Sequence, residues 1–274
     1  MYENEYAQDQ GRPFGETVIS LKDIGLTYQT DSAQVDAIKD INLDIRKGEF
    51  LCVLGPSGCG KSTVLKLLAG FEQPTAGTAT MGGEPIAKPD WNRGVVFQHP
   101  ALYPWLNVWD NAAFGLKMRG IKTIDERTAH FIDRVGLNEF KRHRVYELSG
   151  GMKQRLSIAR VLVNDPVILL MDEPFGALDA LTRSQMQTML RSIWAETHKT
   201  VFFITHDVDE ALLLATKILV MSPRPGRFIK DINVDFAYRI TDGQTDHIRF
   251  SKEYEKVREE VLDLICTEKK DYAI

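Results

Sequence analysis

The sequence predicts an α/β protein: a parallel sheet of strands buried on both faces, helices between them, and a helical block inserted midway. Three observations carry this reading. Short, almost wholly apolar runs recur at Phe50–Leu54, Val167–Met171, Val201–Thr205 and Ile218–Met221, as expected of strands covered on both faces. Stretches of helical character separate them, which parallel pairing requires. The segment from about Pro100 to Asn164 is helical in character and lies within that alternation.

The elements follow in order. Residues 1–16 are polar and aperiodic and read as a flexible leader. Val18–Tyr28 has β-type composition. Ile41, Leu43 and Ile45 alternate with Asn42 and Asp44, the pattern of a half-buried strand, and Lys47-Gly48 makes a turn. Lys61–Ala69 reads as a helix ended by Gly70. Thr75-Ala76-Gly77 reads as a turn and Val95–Phe97 as a further short strand. Thr123 and Glu126 have capping-box spacing ahead of Ala129, Ile132 and Val135, and Gly136 closes that helix. Arg249–Cys266 reads as a charged amphipathic helix with Tyr254, Val257, Val261 and Leu264 on one side.

Composition narrows the function. Of 274 residues, 43% are apolar and 26% charged, which excludes a largely disordered or collagen-like chain. The net charge of -4 argues against a general nucleic-acid binder. A membrane span needs about 20 predominantly apolar residues. The best stretch, Ala211–Met221, is interrupted by Thr216 and Lys217. The start, MYENEYAQDQ, lacks the basic and apolar regions of a secretory signal. Cys52, Cys59 and Cys266 are odd in number and show no metal-binding spacing, so the chain reads as cytosolic and reduced.

Residues 55–62, Gly-Pro-Ser-Gly-Cys-Gly-Lys-Ser, fit G-x-x-x-x-G-K-[ST] in full, with Thr63 next. The glycines permit close backbone approach, and the following helix N-terminus favours an anion. Lys61 is placed to reach the β- and γ-phosphates of a nucleotide and Ser62 to ligate Mg²⁺. The bland alternative is a Gly-rich turn that binds nothing; the buried strand before it and the helix after it weigh against that. The run Val167–Met171 ends in Asp172 and Glu173. Two carboxylates there suit a Mg²⁺ ligand (Asp172, mostly through water) and a group that polarises an attacking water (Glu173). Cys59 lies beside Lys61 and a helix N-terminus, both of which favour thiolate, so a maleimide-reactive thiol protected by MgATP is expected; a shielded thiol is the alternative.

Leu148-Ser149-Gly150-Gly151-Met152-Lys153-Gln154-Arg155 resembles the signature motif of the ABC ATPase family. Ser149 is suited to cap a helix whose glycines leave N–H groups open to an anion. Other positions match that family one by one. Gln98 resembles the Q-loop glutamine, which contacts Mg²⁺ or water. Ala177-Leu178-Asp179 resembles the D-loop, with Gly176 where a serine is common. His206 resembles the switch histidine at the γ-phosphate, and Tyr28 the aromatic that stacks on adenine. The resemblance spans about residues 17–230. It implies a P-loop NTPase (RecA-like) core with an N-terminal antiparallel β-subdomain and an inserted α-helical subdomain. The ATPase domain would then occupy 17–240, its helical subdomain about 100–164, and a C-terminal helical extension 241–274.

The same resemblance implies an ATPase using ATP and Mg²⁺. ATP would lie between the phosphate loop (Gly55, Pro56, Ser57, Gly58, Cys59, Gly60, Lys61, Ser62, Thr63) of one subunit and Ser149, Gly150, Gly151 and Asp179 of a second, identical or paralogous. Repair and chromosome ATPases of this superfamily separate their two Walker motifs by a very long coiled coil, and translation proteins carry two phosphate loops; here no sustained heptads lie between Lys61 and Asp172, and no second phosphate loop is present. An energising subunit docked on separate transmembrane permease subunits remains, with a substrate-binding protein as indirect partner and no nucleic acid. The apolar and aromatic run His99–Leu106 is the expected docking surface. Met221-Ser222-Pro223-Arg224-Pro225-Gly226-Arg227 and Pro104–Leu116 resemble the nitrate, sulfonate, taurine and bicarbonate importer branch, which implies a small anion as cargo; a pyrimidine, or an ATPase uncoupled from transport, is the alternative. The expected location is the cytoplasmic face of the inner (plasma) membrane, as a peripheral protein.

Overall fold

The computed structural model describes residues 14–29, 33–240 and 245–270. Most of the expected leader, and residues 241–244 and 271–274 of the expected extension, lie outside the described residues. The described residues form two compact units, one from within 1–89 and 198–274 and the other from 90–197.

The first unit opens with β1 (Thr17–Gln29), β2 (Gln34–Arg46), β3 (Phe50–Leu54), α1 (Lys61–Ala69), β4 (Ala76–Met81) and β5 (Glu84–Pro85). The second holds β6 (Arg93–Val96), α2 (Val108–Met118), α3 (Asp125–Arg134), α4 (Gly150–Val163), β7 (Ile168–Asp172) and α5 (Ala180–Thr197). The chain returns to the first with β8 (Thr200–Ile204), α6 (Val208–Leu214), β9 (Lys217–Met221), β10 (Phe228–Asn233), α7 (Phe236–Arg239), α8 (Thr245–Arg249) and α9 (Lys252–Lys270).

Two β layers build the first unit. β2-β1-β4-β5 is antiparallel, the β-subdomain that the family resemblance implies. β3 pairs in parallel with β8 on one side and β9 on the other, and β10 closes the edge antiparallel to β9. Every residue of β3 and β8 is buried, which explains their unbroken apolar runs. In β2, by contrast, Ile41, Leu43 and Ile45 are buried and Asn42 and Asp44 exposed, as the alternation requires. The second unit is largely helical. Its β6 and β7 pair in parallel, and α2, α3 and α4 lie between them in sequence.

Three local expectations are corrected. Gly77 lies inside β4, not in a turn, with φ +79 beside a register shift in the β1–β4 ladder. A Cβ there would lie 2.3 Å from the Lys22 carbonyl oxygen, so the glycine permits a close backbone approach at a bulge. The Thr123–Glu126 capping box does not form. α3 begins at Asp125 with Ile124 at the N-cap and no side-chain cap. Asp125 and Glu126 instead place two negative charges in the first turn, where the helix dipole favours them. Gly136 does end α3, with φ +69 and its N–H donated to Asp133 O. Finally, α9 starts at Lys252 and not Arg249, because the Ser251 hydroxyl accepts the Tyr254 N–H and caps it.

Candidate nucleotide-binding and catalytic site

The phosphate loop joins β3 to α1. Gly58 (φ +78) and Gly60 (φ +104) take left-handed conformations that side chains resist. Gly60 is the N-cap of α1 and supplies no side-chain acceptor to the first turn. That turn is therefore suited to anion oxygens. Around Gly58 nothing lies within 4 Å of a Cβ position, so the loop is open there. Lys61 folds back along the loop, its Nζ donating to the carbonyls of Gly55 at 2.8 Å and Pro56 at 3.0 Å. These acceptors are neutral and hold the ammonium within the loop. Ser57 and Ser62 are exposed; Pro56 and Thr63 are half-buried.

The loop is braced from behind by the turn after β9. A Cβ on Gly226 would lie 1.8 Å from the Cys59 carbonyl oxygen. Gly226 is itself locked to β2, donating to Ala37 O and accepting from the Lys39 N–H, each at 3.0 Å. The Ser222 hydroxyl accepts from the Arg227 N–H, and Arg227 pairs with Asp40 at 3.3 Å. Gly55 is also closely packed, its Cβ position 2.9 Å from Met221 O. The sequence drew attention to residues 221–227 only as a branch marker. No local signal reveals that Gly226 touches the loop, because the contact joins residues far apart in the chain.

Two further predicted residues join the first unit's site. The Tyr28 hydroxyl donates to Glu72 Oε2 at 2.7 Å and also bonds Thr63 of α1, while 37% of the residue stays exposed. Burial and the Glu72 carboxylate raise its pKa, so it remains a donor. In the parallel register, Val53 faces Ile204. His206 and the phosphate loop thus leave neighbouring strands at the same carboxyl edge, where ligands bind in such sheets. His206 is exposed, between Thr205, whose hydroxyl accepts the Asp207 N–H at 3.0 Å, and Asp207, which caps α6 by accepting the Glu210 N–H at 3.1 Å.

Burial overturns the expectation for Cys59. The residue is 1% exposed, and burial pushes its thiol pKa up by more than nearby Lys61 pulls it down. Maleimide is expected to modify Cys59 at least about tenfold more slowly than exposed Cys266, read by mass spectrometry of the labelled peptides. Equal rates would contradict the shielding.

In the second unit Val96 faces Met171, so Gln98 and Glu173 leave β6 and β7 at one edge. Their side chains converge over Gly176: its Cβ position lies 3.8 Å from both Gln98 Nε2 and Glu173 Oε2. Glu173 has φ +43, a left-handed conformation that a non-glycine residue adopts at a cost of about 1–3 kcal/mol. Asp172 is half-buried at the end of β7. Asp179 accepts the Thr182 N–H at 3.0 Å, and hydrogen bonds from Thr182 hold its carboxyl below the usual range. Ser149 caps α4 by accepting the Met152 N–H at 3.3 Å. Gly150 is exposed, and a Cβ on Gly151 would lie 2.8 Å from Thr182 Cγ2. The first turn of α4 therefore packs against the first turn of α5, beside Asp179.

Among the described residues no group of three or more His, Cys, Asp or Glu could hold a metal by itself. Ser62, exposed in the first unit, and Asp172, half-buried at the end of β7 in the second, are each oxygen donors, the hard ligand type of which Mg²⁺ takes one or two before completing its shell with water and phosphate.

A family model described as ABC transporter matches residues 38–176. A protein named Taurine import ATP-binding protein TauB from Roseobacter denitrificans is 46% identical over 252 residues, 91% of this chain and 94% of its own length. A protein of the same name from Burkholderia thailandensis is 50% identical over 225 residues, covering 81% of this chain and 86% of that one. Among solved structures, the ATP-binding cassette MJ0796, a dimer in a post-hydrolysis state bound to ADP and phosphate, superposes with TM-score 0.70 at 30% identity, over 79% of this chain and 99% of that one. Structure cbiO1 from Clostridium perfringens, part of the transporter complex cbiONQ, gives TM-score 0.70 at 26% identity over 89% and 98%. With the strand–loop–helix at 50–69, the α/β fold and these matches together, the chain belongs to the ABC transporter family and is one of its nucleotide-binding, ATP-hydrolysing cassettes.

Proposed function

We propose that this chain energises a membrane importer of a small anion, with taurine the favoured cargo over nitrate, other sulfonates and bicarbonate. The observation that carries this reading is the relatives named for taurine import, 44–50% identical over most of the chain. The test is reconstitution in proteoliposomes with the permease and binding protein of a taurine importer. ATP-dependent taurine uptake is expected; its absence would count against taurine as the cargo.

In this reading residues 17–240 are the ATPase domain, 100–164 its helical subdomain, and 241–274 an extension. Lys61 and the N–H groups of residues 58–63 bind the β- and γ-phosphates, and Tyr28 stacks on the adenine. Ser62 and Asp172, with Gln98, would hold Mg²⁺, which would supply positive charge to offset that on the phosphate oxygens. Glu173 orients the attacking water and accepts its proton, and His206 steadies the γ-phosphate. Ser149, Gly150, Gly151 and Asp179 serve the nucleotide of a second cassette, so ATP draws two subunits together and hydrolysis releases them. The dimeric MJ0796 cassette with ADP and phosphate supports that reading.

The permease would dock on residues 99–106 of the second unit. Trp105 is 66% exposed there, while Tyr103 stacks on Phe114 at 4.3 Å and lies under Arg160. Leu102 is half-buried among them. Leu102→Asp is expected to lower permease co-purification and uptake at least about tenfold, by burying a carboxylate in the interface, while basal ATPase activity changes less than about twofold. Unchanged assembly would remove this surface. No described helix is long and apolar enough to cross a membrane. In this reading the subunit is peripheral, on the cytoplasmic face of the inner membrane.

A further inference from the structure

The C-terminal helix α9 meets α6 at a polar node. Tyr254 is 2% exposed, and its hydroxyl donates to Asp209 Oδ1 at 2.9 Å. Arg258 Nε donates to the same oxygen at 3.0 Å. The Tyr254 ring packs edge-on against Phe236 with centroids 5.2 Å apart, and Val261, about two turns further along the same face, is fully buried. Asp209 stands in the first turn of α6, three residues after His206. The other anchor of that turn is internal: Glu210 pairs with the Thr205 hydroxyl, and Asp207 caps the Glu210 N–H. His206 is thus carried on a short segment fixed by Thr205 and Glu210 from within and by α9 from outside.

We propose that α9 is a positioning element for catalysis, in which Tyr254 and Arg258 hold Asp209 and thereby set the placement of His206. The proposal rests on the reading of His206 as the γ-phosphate contact. Neither Tyr254 nor Arg258 needs to touch nucleotide. Their action passes through one carboxylate and one turn of helix. The extension then contributes to turnover, not only to stability. Burial and the Asp209 carboxylate raise the Tyr254 pKa, so the phenol stays a donor at neutral pH.

Tyr254→Phe in the full chain keeps the ring and its packing on Phe236 and removes only the donor. The expected result is a kcat lower by about 3–10-fold with KM for ATP within about twofold, since the affected group acts in the transition state. In a His206→Ala background the same change is expected to cost less than about twofold, because the two residues act through one pathway. A second readout needs no turnover: the His206 imidazole resonance of nucleotide-free protein, assigned with His206→Ala, should shift in Tyr254→Phe. An unmoved imidazole resonance with wild-type kcat, or losses that multiply in the double variant, would overturn the proposal. If His206→Ala itself hydrolyses ATP normally, the reading of His206 fails, and an imidazole shift still decides whether α9 sets its position.

Discussion

Glu173→Gln is expected to lower steady-state ATP turnover by at least about 100-fold and to leave MgATP affinity within about threefold, the scale of losing a positioned general base. The amide is isosteric with the carboxylate and is expected to keep the geometry over Gly176, where Gln98 Nε2 and Glu173 Oε2 converge. It cannot take up the proton of the attacking water. The left-handed backbone at Glu173 supports the assignment, because such strain persists where the surrounding structure enforces it and concentrates at functional sites. Phosphate release under saturating ATP, paired with titration by a fluorescent nucleotide, separates turnover from binding. Near-normal turnover would remove Glu173 from the reaction.

Gly226→Ala is the second large expected effect. The new methyl group would meet the Cys59 carbonyl oxygen at 1.8 Å and Met221 Cε at 2.8 Å. Methionine can move its terminal methyl; a carbonyl inside the phosphate loop moves only with the loop. A displacement of about 1 Å at a phosphate cradle costs on the order of 100-fold in kcat/KM. The expected outcome is that loss, with ATP affinity falling at least about tenfold, in a protein whose circular dichroism matches the parent. The fold should tolerate the change, because the turn at 222–227 lies beyond the end of β9. Parental ATP affinity would show that the brace is dispensable.

Local structure is legible in the sequence where chemistry constrains the spacing of neighbouring residues. The phosphate loop is readable because Gly58 and Gly60 must adopt left-handed conformations within one short turn ahead of Lys61. The strands β3, β8 and β9 are readable because burial on both faces demands unbroken apolar runs. Ser149 was legible as a cap because its hydroxyl serves an N–H three residues on. What escaped reading depends on distant partners. Gly77 looks like a turn residue until β1 is laid against it at Lys22. The Thr123–Glu126 spacing is correct for a capping box, yet the helix starts at Asp125, and spacing alone does not reveal where the first turn begins. Cys59 has the neighbours that favour a thiolate, but its burial under Gly55 and the turn after β9 outweighs them. Asp209 reads as one more acid in a helix first turn; only packing brings Tyr254 and Arg258 to it.

The measurement that tests the central claim most directly is the mass in solution of Glu173→Gln protein, by gel filtration with light scattering, with and without MgATP. With turnover blocked, ATP should hold the phosphate loop of one chain against Ser149, Gly150 and Gly151 of another. The account predicts a monomer without nucleotide and a dimer with saturating MgATP. A protein that binds MgATP and stays monomeric would contradict the ATP-bridged dimer of identical cassettes.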